Sequence, residues 1–130
     1  MKEILLYIFT VPVFFAIDIL WIGVIAKDFY FKNIPGLSPQ PNWPAAIAFY
    51  LLYIIGILIF AVLPNLEKGW QQALIYGALF GFFAYATYDL TNYAVMKSWP
   101  LSITLIDIAW GTVLTGVVAT ASYFIGSRIF

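Results

Sequence analysis

The chain has 130 residues, of which 64 % are hydrophobic and only 9 % are charged, and its formal net charge is zero. Soluble domains carry about 25 % charged residues, so this composition excludes an ordinary soluble protein and indicates an integral membrane protein. Zero net charge gives no reason to expect a nucleic-acid partner. Cysteine and histidine are both missing, which excludes disulfides, haem, iron-sulfur clusters, zinc sites and imidazole catalysis. No cofactor is predicted.

Four apolar runs are long enough to cross the ~30 Å hydrocarbon core of a bilayer as helices. They are Ile4 to Ala26, Pro44 to Leu63, Gln71 to Val95 and Ser102 to Gly126. Strands are not expected, because the runs lack a two-residue alternation and an open sheet cannot satisfy its edges in lipid. We therefore predict an all-α fold, in which residues 1–130 form a single domain, a four-transmembrane-helix bundle.

Three prolines mark the first two predicted helices. Pro12 is expected to kink the first helix, Pro44 suits the first turn of the second, and Pro64 ends it. The first run resembles a signal peptide in following Lys2, but it is too long for one and contains Asp18. We therefore predict that it stays as a transmembrane helix.

The first loop, Lys27 to Trp43, is predicted to lie along the membrane interface. Pro35, Pro39 and Pro41 prevent a long helix there, yet the loop is too apolar for a solvated linker. Aromatic side chains at this level anchor proteins in the membrane. We assign such an anchoring role to Tyr30, Trp43, Trp70 and Trp99.

The basic residues do not predict an orientation in the membrane. The face with both termini carries Lys2, Lys68 and Arg128, and the opposite face carries Lys27, Lys32 and Lys97. Because each side has three basic residues, the positive-inside rule favours neither.

Three aspartates lie inside these apolar runs: Asp18, Asp89 and Asp107. A charge at such a position costs at least ~2.5 to 3.5 kcal/mol and marks a candidate functional site. Counted at 1.5 Å per residue, the three lie roughly 12, 9 and 7.5 Å from the same membrane face. No Lys, Arg or His occurs in the three runs to balance them, so we expect them to share one region of the bundle.

Two of the aspartates occur in the repeated form Ile-Asp-Ile-x-Trp, on helices of opposite direction. The segments are Ile17 to Trp21 and Ile106 to Trp110. Residues three apart share a helical face, and an indole nitrogen can only donate. We predict that the first and fourth helices pack antiparallel, with the Trp21 indole donating toward Asp107 and the Trp110 indole toward Asp18.

The third helix adds polar side chains and a stripe of small residues. Asp89 and Asn92 are three apart, so they share a face, with Tyr85 and Tyr93 on the same side. Small residues at spacing four allow helices to approach closely. They are Ala73, Gly77 and Gly81 in the third helix, and Gly111, Thr115 and Ala119 in the fourth. Close helix packing is the simplest meaning of both stripes.

Three carboxylates in a small volume of low dielectric cannot all be ionised, so we expect one or two to hold a proton near neutral pH unless a cation joins them. The aspartates and the polar or aromatic residues beside them form the predicted site for a proton, a cation or a cationic amphiphile. Its residues are Asp18, Trp21, Tyr88, Asp89, Asn92, Asp107 and Trp110. No catalytic residue is assigned, and a metal is left open.

Several motifs along the chain also occur together in one known family. They are Asp18-x-x-Trp21, Phe29-Tyr30, Pro41 to Ala46, Phe49-Tyr50, Tyr88 to Asn92, Trp99-Pro100 and Asp107-x-x-Trp110-Gly111. In these motifs, and over nearly its whole length, the chain resembles the DUF2177 family of small bacterial integral membrane proteins. The resemblance implies four membrane helices in a bacterial cytoplasmic membrane, and it implies no activity.

Several functions remain open at this stage. The leading hypothesis is a small carrier or binding protein for a cation or cationic amphiphile, coupled to protons, in which a carboxylate and indole pocket holds an ammonium group. The alternatives are an enzyme or accessory factor acting on lipid headgroups, with aspartates as acid, base or Mg²⁺ ligands, a non-catalytic subunit of a membrane complex, and purely structural hydrogen bonding between helices. The residues favour a non-enzymatic role. The expected partners are the bilayer, a second copy of the chain, and a small cation or lipid headgroup.

Overall fold

A computed structural model describes residues 1–34, 36–37 and 40–130. Its α-helices are α1 (Lys2–Leu20), α2 (Lys27–Asn33), α3 (Trp43–Ile57), α4 (Trp70–Val95) and α5 (Leu101–Ile129). α1 continues as a π-helical turn, Trp21–Ile25, and α3 continues through a π-helical turn, Leu58–Val62, into a 3₁₀ turn, Leu63–Asn65. The described residues contain no strand, so the all-α prediction is confirmed.

Four helical stretches are long and apolar enough to cross a membrane. They are Lys2–Ile25, Trp43–Asn65, Trp70–Val95 and Leu101–Ile129. These stretches confirm the predicted number and order of transmembrane helices. The largest difference in a boundary is at the last helix, which ends at Ile129 and not at Gly126.

Two of the three prolines marked in the sequence lie at helix ends. Pro44 lies in the first turn of α3, where the Asn42 side chain caps the helix by accepting a hydrogen bond from the Ala45 amide at 3.2 Å. Pro64 lies in the 3₁₀ turn with which the second span ends. α1 runs through Pro12 as one helix, so its only change of helix type comes later, at Trp21.

The most extensive contact in the bundle is between α4 and α5, and small residues make it possible. A methyl group added at Gly77 would lie 2.9 Å from the Thr115 carbonyl oxygen, and one added at Gly81 would collide with the Gly111 carbonyl oxygen. The two backbones are therefore in direct contact along the predicted small-residue stripes, and the packing interpretation of these stripes is confirmed.

Toward the face that carries the termini, a fully buried apolar layer fills the bundle. It includes Phe14, Ile54, Ile57, Leu114 and Val118. Two side-chain hydrogen bonds join the helices on either side of this layer. The Tyr53 and Thr115 hydroxyls are 2.7 Å apart, and those of Thr10 and Ser122 are 2.8 Å apart. The lower half of the bundle is thus closed by apolar packing and by satisfied polar pairs.

Part of the first loop packs against the bundle. It contains the helix α2, and the Tyr30 side chain in this helix is only 4 % exposed. Trp99, at the opposite loop, is 8 % exposed. The prediction that Tyr30 and Trp99 are interfacial anchors is therefore wrong, because both side chains pack inward against Ile103 and Ala26. Trp43 and Trp70 are exposed, as anchors are. Pro35 and Pro39 lie outside the described residues.

We expect Gly81→Ala to destabilise the bundle by about 1–3 kcal/mol, because the added methyl group forces α4 and α5 apart. Thermal unfolding of the purified protein in detergent measures this. Gly23→Ala is the matched control, since the nearest atom to its new methyl group is 3.7 Å away, on the Ile19 side chain. Equal melting temperatures for the two variants would contradict the packing argument.

Candidate functional site

A cavity of about 420 Å³ lies in the half of the bundle toward the first and third loops. Its polar groups include the carboxyl groups of Asp18 and Asp107, which come from α1 and α5. Eight aromatic side chains make up most of its wall: Trp21, Tyr30, Phe49, Tyr50, Tyr85, Tyr88, Trp99 and Trp110. No Lys or Arg among the described residues lines it. The cavity therefore combines two acids with an aromatic wall.

Trp110 meets Asp18 as the repeated Ile-Asp-Ile-x-Trp motif predicts. The Trp110 indole N–H donates to the Asp18 carboxylate at 3.1 Å, and the Tyr50 hydroxyl also interacts with this carboxyl group. The rings of Trp21 and Trp110 stack in parallel, with their centroids 4.4 Å apart. This half of the predicted contact between the first and fourth helices is confirmed.

Trp21 does not reach Asp107, so the other half of that prediction is wrong. The Trp21 indole donates to the Tyr30 hydroxyl at 3.2 Å, and that hydroxyl donates to Asp107 at 2.7 Å. Tyr30 of α2 lies between the two helices, and a count along α1 and α5 alone could not include it. Trp21 also begins the π-helical turn, in which the Ala26 amide donates to the Trp21 carbonyl at 2.7 Å. π-turns of this kind are frequent at functional sites.

Tyr30 remains a hydrogen-bond donor because its own ionisation is suppressed. Burial, and next to it the negative charge of Asp107, raise the pKa of the Tyr30 phenol above its usual value. The phenol therefore keeps its proton near neutral pH and continues to donate to Asp107. Both carboxyl groups that line the cavity receive hydrogen bonds from neutral donors, and neither has a basic partner among the described residues.

Asp89 occupies a different position from the other two aspartates. Its side chain is 0 % exposed and is not part of the cavity wall. Neither carboxyl oxygen has a hydrogen-bond partner among the described residues. The charged group that acts on it is the Asp107 carboxyl. Asp89 thus interacts with Asp107 without lining the cavity.

The remaining residues of the predicted site divide between the cavity and the outside. Tyr88 lines the cavity at its rim, where its ring packs edge-on against Trp99 at 5.8 Å. Asn92 is half-buried and interacts with the Tyr88 side chain, and it does not line the cavity. Tyr93, predicted on the same side as Asp89, is 46 % exposed. Fewer side chains of α4 therefore line the cavity than the helical spacing predicts.

Sequence reasoning missed five aromatic residues of the wall, of which Phe49 belongs to the exposed rim. Tyr30 and Trp99 were assigned to the membrane interface, whereas Tyr50 and Tyr85 were not included in the site. A signal for Tyr85 exists in the sequence, because it lies four residues before Asp89 and four after Gly81, on the packed face of α4. In the structure its ring covers Gly111, where a methyl group would collide with it.

A second hollow opens at the opposite end of the bundle, where both termini lie. Its polar side chains include Glu3, Glu67 and Lys68. The two acids and the lysine are exposed and of opposite charge, so the hollow offers no enclosed polar group that could select a ligand. The fully buried layer with Phe14 and Leu114 lies between the two hollows.

Four apolar spans around an acidic and aromatic cavity define a small multi-pass α-helical membrane protein. The chain belongs to the family described as "Predicted membrane protein (DUF2177)", which matches residues 3–124. No curated protein and no solved structure matches the chain.

Tyr30→Phe is expected to lower the free energy of unfolding by about 1–3 kcal/mol, because it leaves the enclosed Trp21 N–H without its acceptor and Asp107 without its donor. Thermal unfolding in detergent gives the measurement. Tyr76→Phe is the matched control, since that ring is 48 % exposed. If the free energy of unfolding falls no further than in the control, the two hydrogen bonds of the Tyr30 hydroxyl contribute nothing to stability.

Proposed function

We propose that the cavity binds an organic cation of the ammonium type, held between the carboxylates of Asp18 and Asp107 and the surrounding aromatic rings. The observation that carries this proposal is the imbalance of charge in the cavity wall. Two carboxyl groups and eight aromatic rings line the same space, and no basic residue of the described chain balances them. A carboxylate in such a place requires either a proton or a cation.

The aromatic wall favours an organic ammonium group over a small hydrated metal ion. Ring faces attract cations, and several rings together form the cages that recognise quaternary ammonium groups. Trp21 and Trp110 stack beside both carboxyl groups, so a ligand can meet charge and ring surface at once. A volume of about 420 Å³ is within the range of small-molecule sites.

The rim of the cavity favours a ligand that arrives from the membrane. Ile22 and Phe49 line the cavity and are 43 % and 52 % exposed. Both belong to transmembrane stretches, so this part of the rim faces lipid. An amphiphile can therefore place its ammonium group in the cavity while its apolar chain stays in the bilayer.

A carrier role extends this binding function. In the structure the apolar layer with Ile57 and Val118 separates the cavity from the opposite face, so release on that side requires the helices to rearrange. Our proposal therefore includes a second conformation, and it includes a homo-oligomer that would enclose the path. The bacterial cytoplasmic membrane remains the predicted location.

Two alternatives have less support from the described contacts. Structural hydrogen bonding accounts for Asp18 with Trp110, but it does not account for a cavity beside that pair. An enzyme using Mg²⁺ needs several oxygen ligands around one point, and the described side chains include no group of three or more His, Cys, Asp or Glu residues that could hold a metal ion. The possible metal ligands among the described residues therefore give no support to a Mg²⁺-dependent enzyme.

Asp107→Asn and Asp18→Asn are each expected to weaken binding of dodecyltrimethylammonium about tenfold or more, because each removes one charge from the cavity wall. Isothermal titration of the detergent-purified protein measures the affinity. Asp28→Asn removes an exposed acid on the same side and serves as the matched control. Equal affinities for all four proteins would refute the proposed site.

The ligand class is tested by varying the apolar chain. Tetramethylammonium, which does not concentrate in lipid, is expected to bind at least about tenfold more weakly than dodecyltrimethylammonium at the same total concentration. The quenching of tryptophan fluorescence follows both, since three of the five tryptophans line the cavity. A non-ionic amphiphile with the same chain is the control. If it competes as well as the cationic one, charge is not what the cavity recognises.

A further inference from the structure

Asp89 is enclosed in a way that a permanently ionised carboxylate is not. Both of its oxygens are inaccessible, neither has a hydrogen-bond partner among the described residues, and the side chain is 0 % exposed. An unpaired charge in such surroundings costs far more than a neutral acid. These surroundings therefore favour the protonated, neutral form of Asp89 over the ionised form.

The titratable groups that face Asp89 come from three helices. Asp107 faces it from α5, Tyr30 from α2, and Tyr88 precedes it on α4. The basic residues of this half of the bundle are Lys27, Lys32 and Lys97, and all three are exposed. A cationic partner for Asp89 is thus missing from the described residues around it, and the ionisable group that acts on it is the Asp107 carboxyl.

We propose that Asp89 and Asp107 form a proton-binding pair that holds one proton, and that a cation entering the cavity at Asp107 displaces it. The second part of this inference rests on the proposed function. Asp107 lines the cavity and also interacts with Asp89, which does not line it. The sequence analysis places Asp89 among the residues that contact the ligand. In this proposal it is instead a positioning residue that acts through Asp107.

The exchange balances in charge and atoms. Before binding, the pair carries one proton and one negative charge. When the cation arrives, the O–H bond of the pair breaks and the proton leaves to water, and the positive charge of the cation takes its place. No electron is transferred. The net charge enclosed by the bundle therefore stays constant when the cation binds.

The stored proton is tested first without any cation, by infrared spectroscopy of the purified protein at neutral pH. The wild type is expected to show the carbonyl band of a protonated carboxylic acid, and Asp89→Asn to lose it. Asp28→Asn, which removes an exposed acid, is expected to keep it. An unchanged band in Asp89→Asn would overturn the inference. Thermal unfolding at pH 5 to 9 verifies that the variant folds, since asparagine closely mimics a neutral aspartic acid.

The coupling is then measured on the wild type by adding dodecyltrimethylammonium to weakly buffered protein with a pH indicator. We expect release of about one proton per bound cation, and an affinity that rises up to about tenfold per pH unit, because binding and proton release are reciprocal. Asp89→Asn is expected to abolish both the release and the pH dependence. The wild-type protein alone is therefore enough to show whether cation binding releases a proton.

The outcomes separate the two proposals. Cation binding without proton release, or with a pH dependence that Asp89→Asn leaves intact, overturns the coupling and leaves the proposed function standing. If no cation binds at any pH, the proposed function and the displacement step both fail, while the infrared band still decides whether Asp89 stores a proton.

Discussion

A carboxylate placed inside a membrane-spanning bundle must receive hydrogen bonds or a counter-charge. This constraint decides the contacts in the half of the bundle toward the first and third loops. Asp18 receives the Trp110 indole, and Asp107 receives the Tyr30 hydroxyl, which itself accepts from Trp21. All of these donors are neutral, so they stabilise the acids without cancelling their charge. The carboxyl groups therefore still lack a positive partner among the described residues, and the cavity beside them offers space for one.

The cavity exists because the two halves of the α4 and α5 contact are packed differently. In the lower half Gly77 and Gly81 bring the two backbones into contact with no room for a side chain. Farther along the same helices Tyr85 covers Gly111, and Asp89 and Asp107 follow. Small residues thus let the backbones touch toward the termini, while rings and carboxyl groups occupy the half toward the first and third loops.

The difference in packing between the two halves gives one small bundle both a cavity and an apolar layer that closes it on one side. The apolar layer that includes Phe14 and Leu114 closes the half toward the termini, and the exposed side chains of Ile22 and Phe49 lie at the rim of the cavity in the other half. A site with one open side suits binding, and transport would need the closed side to open as well. The proton that we assign to Asp89 gives such a change a chemical trigger, because a charge that enters the site must be balanced by one that leaves it.

Composition and spacing by themselves determined the four spans, their limits to within a few residues, the contact of the small-residue stripes, and the meeting of Trp110 with Asp18. These features follow from hydrophobic length and from helical periodicity, which are local properties of the chain. Only the tertiary structure decided that Tyr30 joins Trp21 to Asp107, that Trp99 faces inward, and that Asp89 does not line the cavity. The reason is physical: α2 is a short helix outside the spans, and the place where it packs depends on contacts between residues far apart in the sequence, such as Tyr30 and Asp107, which no local pattern records.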